Sequence, residues 1–129
     1  MRPPTPDELA LYELAEAARA YAHAPYSGIR VGAALRLTDG SVVQGANVEN
    51  ASYGLTCCAE RVAAFTAVAA GGTAFDAVAV HAGEVGASPC GACRQVLAEF
   101  AADMPVVFTS EGAPVTAMLS ELLPVRFGL

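Results

Sequence analysis

Four cysteines lie in two short stretches, "TCCAER" at Thr56–Arg61 and "SPCGACRQ" at Ser88–Gln95. Each stretch falls where a helix is expected to begin. Cys58 opens a run to Ala70 that Gly71-Gly72 stops, and Cys90 opens another toward Ala101. If these cysteines serve one centre, the fold must bring two helix starts together across one end of a sheet. That demand restricts the architecture more than any other feature of the chain. Four readings of the set are open: a disulfide framework, a redox pair, a structural metal clip or a catalytic metal site.

The rest of the pattern supplies the sheet. In "TPDE", Thr5 is a helix N-cap, Pro6 is tolerated in the first turn and Glu8 completes a capping box. Leu11, Leu14, Ala15 and Ala18 follow at helical spacing, which predicts a helix from Pro6 to Tyr21, ended before Pro25. "RVGAALRLTDGSVVQGANVEN" has two β-type runs around an Asp-Gly turn, a strong hairpin signal. Further strands are expected at Phe75–His81 and Val106–Thr109, and a last short helix at Val115–Leu122. The order α-β-β-α-β-α-β predicts a mixed sheet with helices on both faces. A chain of 129 residues is expected to form one domain over its whole length, 1–129.

Charge and hydropathy exclude some partners. A net charge of −6 with only seven Lys plus Arg opposes nucleic-acid binding, which rests on basic groups that neutralise phosphates, and suits a small neutral or cationic ligand. Apolar runs fall short of the roughly 20 residues that span a bilayer, so no membrane partner is expected. The N-terminal stretch lacks the apolar core of a secretory signal, and a cytoplasmic location is expected.

A chain without an export signal disfavours the disulfide framework. The Cys90–Cys93 pair alone leaves redox, metal-binding and incidental readings open. Cys58 adds a third thiolate, and Glu60, two residues on, lies close enough to point into the same space. Three protein ligands on Zn²⁺ leave a fourth position for water, the mark of a catalytic site. Neighbouring helical residues point about 100° apart, so Cys57 does not readily join Cys58 on one ion and reads as a small buried hydrophobe. His23 and His81 stand outside both motifs.

"NVENASYGLTCCAER" together with "SPCGACRQVLAEF" resembles the zinc-dependent cytidine deaminases, in the all-cysteine, homotetrameric form. "YSGIRVGAAL" at Tyr26–Leu35 looks like that family's N-terminal strand and "LLPVRF" at Leu122–Phe127 like its C-terminal segment, so nearly the whole chain takes part. The resemblance implies a three-layer α/β/α sandwich around a mixed, about five-stranded sheet. It implies one Zn²⁺ per chain on Cys58, Cys90 and Cys93, with Glu60 as proton shuttle in the hydrolysis of cytidine and deoxycytidine to uridine, deoxyuridine and ammonia, a salvage reaction. Arg61 would offset the thiolate charge. Asn47 and Glu49, two apart and so on one face of an extended strand, would hold the ribose hydroxyls, although Asn at a strand end also satisfies backbone groups. Ile29, Ala59 and Phe127 complete the implied nucleoside site, Phe127 by reaching into a neighbouring subunit of a homotetramer. Ile29 departs from the family, which usually has Phe there, and brings apolar contact without stacking.

Two rivals stand beside this reading. One is a deaminase of another aminopyrimidine nucleoside, such as the blasticidin type. The other is a zinc-binding or redox module without catalysis, which would have no use for Glu60. A polynucleotide deaminase is disfavoured, because the chain has no Lys-Arg cluster and no Trp from which to build a strand channel.

Overall fold

The structure, a computed structural model, describes residues 1–129. Its first helix, α1 (Pro6–Ala18), starts as the sequence predicts. The Glu8 N–H donates to Thr5 Oγ1 at 3.2 Å and the Thr5 N–H donates to Glu8 Oε1 at 2.9 Å. A 3₁₀ turn at Arg19–Tyr21 completes the expected span. Leu11, Ala15 and Ala18 are buried, but Leu14, expected beside them, is 41% exposed. The buried stripe is centred between Leu11 and Ala15, and at about 100° per residue Leu14 falls roughly 80° off it. Glu8 takes the fourth buried place.

The hairpin forms from β1 (Gly32–Leu37) and β2 (Val42–Ala46) around Asp39-Gly40, with Gly40 at φ +89°. The resemblance placed strand from Tyr26 onward; residues 26–31 are instead a loop, and pairing begins at Gly32. Helix α2 (Ala59–Ala69), β3 (Phe75–His81), α3 (Gly91–Glu99) and β4 (Pro105–Ser110) follow as expected to within a few residues.

The helix expected at Val115–Leu122 does not form. Residues Ala113–Met118 are a fifth strand, β5, and only the single turn α4 (Leu119–Leu122) is helical. Glu111 and Gly112 both adopt positive φ, +51° and +81°, and this two-residue turn folds Ala113 back onto Ser110. Val115 and Thr116, β-branched, then suit the pleated edge.

The strand order is β2-β1-β3-β4-β5. Only β3 and β4 run parallel, joined across α3, so the sheet is mixed and five-stranded. Alternate residues of each strand face opposite layers. On one side Leu11 and Ala15 of α1 pack on Ala77, Ala79 and Val107. On the other Ala63 and Ala67 of α2 and Leu97 of α3 pack on Leu35, Val78 and Val106. This is the three-layer α/β/α sandwich that the resemblance implies. No helix is long and apolar enough to cross a membrane.

A glycine sets the depth of α2. At Gly45 a Cβ would stand 2.5 Å from the Ala59 carbonyl oxygen and 2.5 Å from the Ala63 nitrogen, so β2 and the first turn of α2 meet backbone to backbone.

Glu8 fastens the N-terminus to the far sheet edge. It pairs with Arg2 at 2.7 Å and accepts from Thr116 Oγ1 at 3.1 Å, while Arg2 and Thr116 exchange backbone hydrogen bonds. Arg2, above all, lowers the Glu8 pKa to about 2. Folded Glu8 therefore stays ionised after the unfolded chain protonates near 4.5. Its contribution is present in full above that pH and is lost as pH falls toward 2. A depression of this size corresponds to about 3 kcal/mol, which screening at the half-exposed Arg2 trims to ~1–2 kcal/mol. Glu8→Gln should cost that much in denaturant unfolding at pH 7, with the gap to wild type closing between pH 4.5 and 2.

Candidate metal centre

Cys58 is the N-cap residue of α2 and Cys90 that of α3, with Cys93 in the first turn of α3. Because α2 and α3 lie on the same sheet face, their N-termini meet. The Cys58 and Cys90 sulfurs are 3.9 Å apart, those of Cys90 and Cys93 3.4 Å, and all three fall within 4.8 Å of one another. Three thiolates at the ~2.3 Å Zn–S length of a tetrahedral site stand about 3.8 Å from each other, so this cluster fits Zn²⁺ with only small adjustments. None of the four cysteines is bonded to another, and three of the sulfurs converge on one point rather than in pairs, the arrangement of a metal site and not of a disulfide framework. Cys57 is outside the cluster; it is half-buried rather than fully buried, its backbone paired with Val48. His23 and His81 are outside it as well.

Charge at the cluster is balanced locally. Close approach of Cys93 first, and of the Arg61 guanidinium after it, holds the Cys58 thiol below the usual range, whereas Cys93, close to Cys58 and buried, is pushed up. Arg61 Nη2 lies 3.4 Å from Cys58 Sγ, and its Nε is buried without a partner. The two helix N-termini add positive character behind Cys58 and Cys90.

Glu60, in the first turn of α2, is only 4% exposed. Burial first, and the nearby Cys58 charge second, raise its carboxyl above the usual range. It faces a hollow of about 200 Å³ that Cys58, Cys90, Asn47 and Ala59 also line. Glu49 opens onto an adjoining hollow of about 380 Å³ with Tyr26, Ser27 and Tyr53, and Thr56 borders both.

Asn47 and Glu49 thus open onto neighbouring hollows, and both also hold the loop before β1. Asn47 Oδ1 accepts the Val31 N–H and its Nδ2 donates to the Ile29 carbonyl, each at 2.9 Å. Glu49 accepts the Tyr26 and Ser27 N–H groups and the Ser27 hydroxyl. Ile29 is 44% exposed and Phe127 69%, and neither lines the Glu60 hollow in its own chain.

Sequence reasoning passed over Thr56, Ser27 and Arg94. Arg94 carries the loop ahead of Cys90: it donates to the Pro89 carbonyl at 2.7 Å, to the Leu122 carbonyl at 2.7 Å and to Ser88 Oγ at 3.3 Å. Its place right after Cys93 was the available signal.

Residues 6–109 match the family model described as the cytidine and deoxycytidylate deaminase zinc-binding region. A cytidine deaminase of Halalkalibacterium halodurans is 49% identical over 94% of both chains. Among solved structures, cytidine deaminase from Burkholderia pseudomallei superposes with a TM-score of 0.85 at 49% identity, covering 92% of this chain and 98% of that one. That from Mycobacterium tuberculosis gives 0.84 at 41%, covering 97% and 100%.

Metal analysis of purified variants tests the ligand set. Cys90→Ala and Cys93→Ala should lose the zinc, and Cys57→Ala should retain about one ion per chain. Zinc lost from the Cys57 variant would overturn the assignment.

Proposed function

The chain belongs to the zinc-binding cytidine and deoxycytidylate deaminase family, and from that membership we propose that it hydrolyses cytidine and deoxycytidine to uridine and deoxyuridine, releasing ammonia in nucleoside salvage. The observation that carries this is the pairing of a thiolate cluster with the buried carboxyl of Glu60 on one small hollow. A structural zinc clip or a redox pair gives that carboxyl no task.

Bound Zn²⁺ supplies Lewis acidity that brings the pKa of a water from 15.7 toward ~7. Glu60 takes the water proton and delivers it to ring N3 as oxygen adds at C4, then takes the proton of the new C4 hydroxyl and passes it to the amine as the C4–N bond breaks and the C4 carbonyl forms. Water is consumed, ammonia leaves, and Glu60 ends in its starting state. Burial, which raises the Glu60 carboxyl above the ordinary range, favours its taking up the water proton that opens this shuttle. Arg61 keeps the three thiolates from becoming so electron-rich that the metal loses its pull on water.

The hollows divide the substrate between them. The Glu60 hollow alone is smaller than the ~300–1,000 Å³ of ordinary ligand sites, which suits a base there and a sugar beside Glu49. Ser27, first, holds Glu49 below the usual carboxylate range, so it meets the sugar as an ionised acceptor. Such a group accepts from ribose hydroxyls and repels a 5′-phosphate. This favours the nucleosides over deoxycytidylate within the family's range.

Neither Ile29 nor Phe127 lines this base hollow within its own chain. We infer a homotetramer in which Phe127 covers the base in a neighbour's site.

Ammonia release and ultraviolet monitoring of purified protein test the reading. Cytidine and deoxycytidine should be converted, while cytosine and cytidine 5′-monophosphate should be poor substrates; efficient use of the monophosphate would count against the role of Glu49. Glu60→Gln should keep its zinc yet lose about 10² to 10⁴-fold in kcat. Near-normal turnover in that variant would remove Glu60 from the mechanism.

A further inference from the structure

The last residues of the chain combine a fixed backbone with an exposed ring. Gln95 Oε1 accepts the Phe127 N–H at 3.1 Å and Gln95 Nε2 donates to the Phe127 carbonyl at 3.1 Å. One side-chain amide thus pairs with both polar groups of one residue, as an adjacent strand would. Arg126, the residue before, donates to the carbonyls of Ala98, Ala101 and Ala102, where a cation also complements the C-terminal end of α3. Terminal segments ordinarily fray unless tied down. Here the tie holds a side chain that stays 69% exposed and so adds little packing to its own chain.

From this we propose that Gln95 is a positioning residue for the deaminase reaction: it clasps the backbone of Phe127 so that the ring is presented, already ordered, to the base in a neighbouring subunit. This rests on the nucleoside deaminase reading above. The direction follows from helix geometry. Gln95 lies two positions beyond Cys93, about 200° around α3, so the clasp sits on the flank of the helix turned away from its own buried thiolate. Pre-ordering the ring removes an entropy cost from substrate binding. The clasp is specific to an amide, since a carboxylate retains an acceptor for the Phe127 N–H but offers no donor to its carbonyl.

Gln95→Ala and the nearly isosteric Gln95→Glu, the latter guarding against misfolding of the former, are compared with Phe127→Ala and with the Gln95→Ala/Phe127→Ala double variant. Each should keep about one zinc per chain while KM rises about two- to tenfold, the range of one aromatic contact, and in the two Gln95 single variants kcat at saturating cytidine should stay within about twofold of wild type. The Phe127 amide should exchange its hydrogen faster in both Gln95 variants. The double variant should bind no worse than Phe127→Ala, because the clasp acts only through the ring. Unchanged KM despite faster amide exchange overturns the proposal, as does a double variant whose KM increases multiply. Unchanged exchange shows that no clasp exists in solution and overturns it too. Wild-type protein that releases no ammonia from cytidine sinks the deaminase reading itself, a failure separable from the others because amide exchange needs no substrate.

Discussion

How closely a helix approaches a sheet depends on the smallest side chains between them, and at Gly45 nothing but backbone intervenes. Ala63, Ala64 and Ala67 continue that contact along α2, all essentially inaccessible to solvent. The close seat fixes where α2 begins and therefore where Cys58 stands. Helix α3 reaches the same face through the β3-α3-β4 crossover, whose parallel strands leave it no other layer. The metal centre is the meeting point of these two helix starts. Its geometry is inherited from alanine and glycine packing many residues away.

Three thiolates in a small volume repel one another, and the surrounding residues answer that repulsion without neutralising it. Two helix N-termini and the Arg61 guanidinium bring positive character to the sulfurs. Glu60, on the same turn of α2, is instead surrounded by apolar residues and a negative neighbour, which lift its proton affinity. Cys58 and Glu60, two positions apart, thus receive opposite electrostatic treatment. That contrast suits the proton-shuttle role proposed for Glu60 beside a Lewis acid.

The loop at residues 26–31 is held by Asn47 and Glu49, two residues that also border the hollows beside the cluster. Reading "NVEN" from the sequence set two roles against each other, backbone satisfaction and sugar binding. Asn47 and Glu49 perform the first. They are also held rigid by it, and a rigid polar group at the edge of a hollow loses little entropy when a ligand arrives. The two roles are compatible because the Asn47 amide and the Glu49 carboxylate each have hydrogen-bonding capacity beyond the bonds they make to the loop.

Local chemistry was legible in the sequence. The capping box at Thr5 and Glu8, the Asp39-Gly40 hairpin turn, β3 and the helix starts at Cys58 and Cys90 all depend on residues within a few positions of one another, and all stand where the pattern put them. Strand β5 was misread as a helix although Glu111-Gly112 carried its turn signal, because "APVTAM" has too weak an alternation to declare itself before β4 offers a pairing edge. Leu14 looked like core until the sheet selected which stripe of α1 to bury. Residue types and spacing by themselves determined that cysteines and a glutamate stand at two helix starts, and it was the resemblance of those motifs to the zinc deaminases that implied which of them hold the ion and shuttle the proton. Only the tertiary structure decided that Cys58 meets Cys90, that Arg94 carries the loop ahead of Cys90, and that Gln95 grips Phe127. Those contacts join positions far apart in the chain, and packing of whole layers, rather than any local propensity, sets the distances between them.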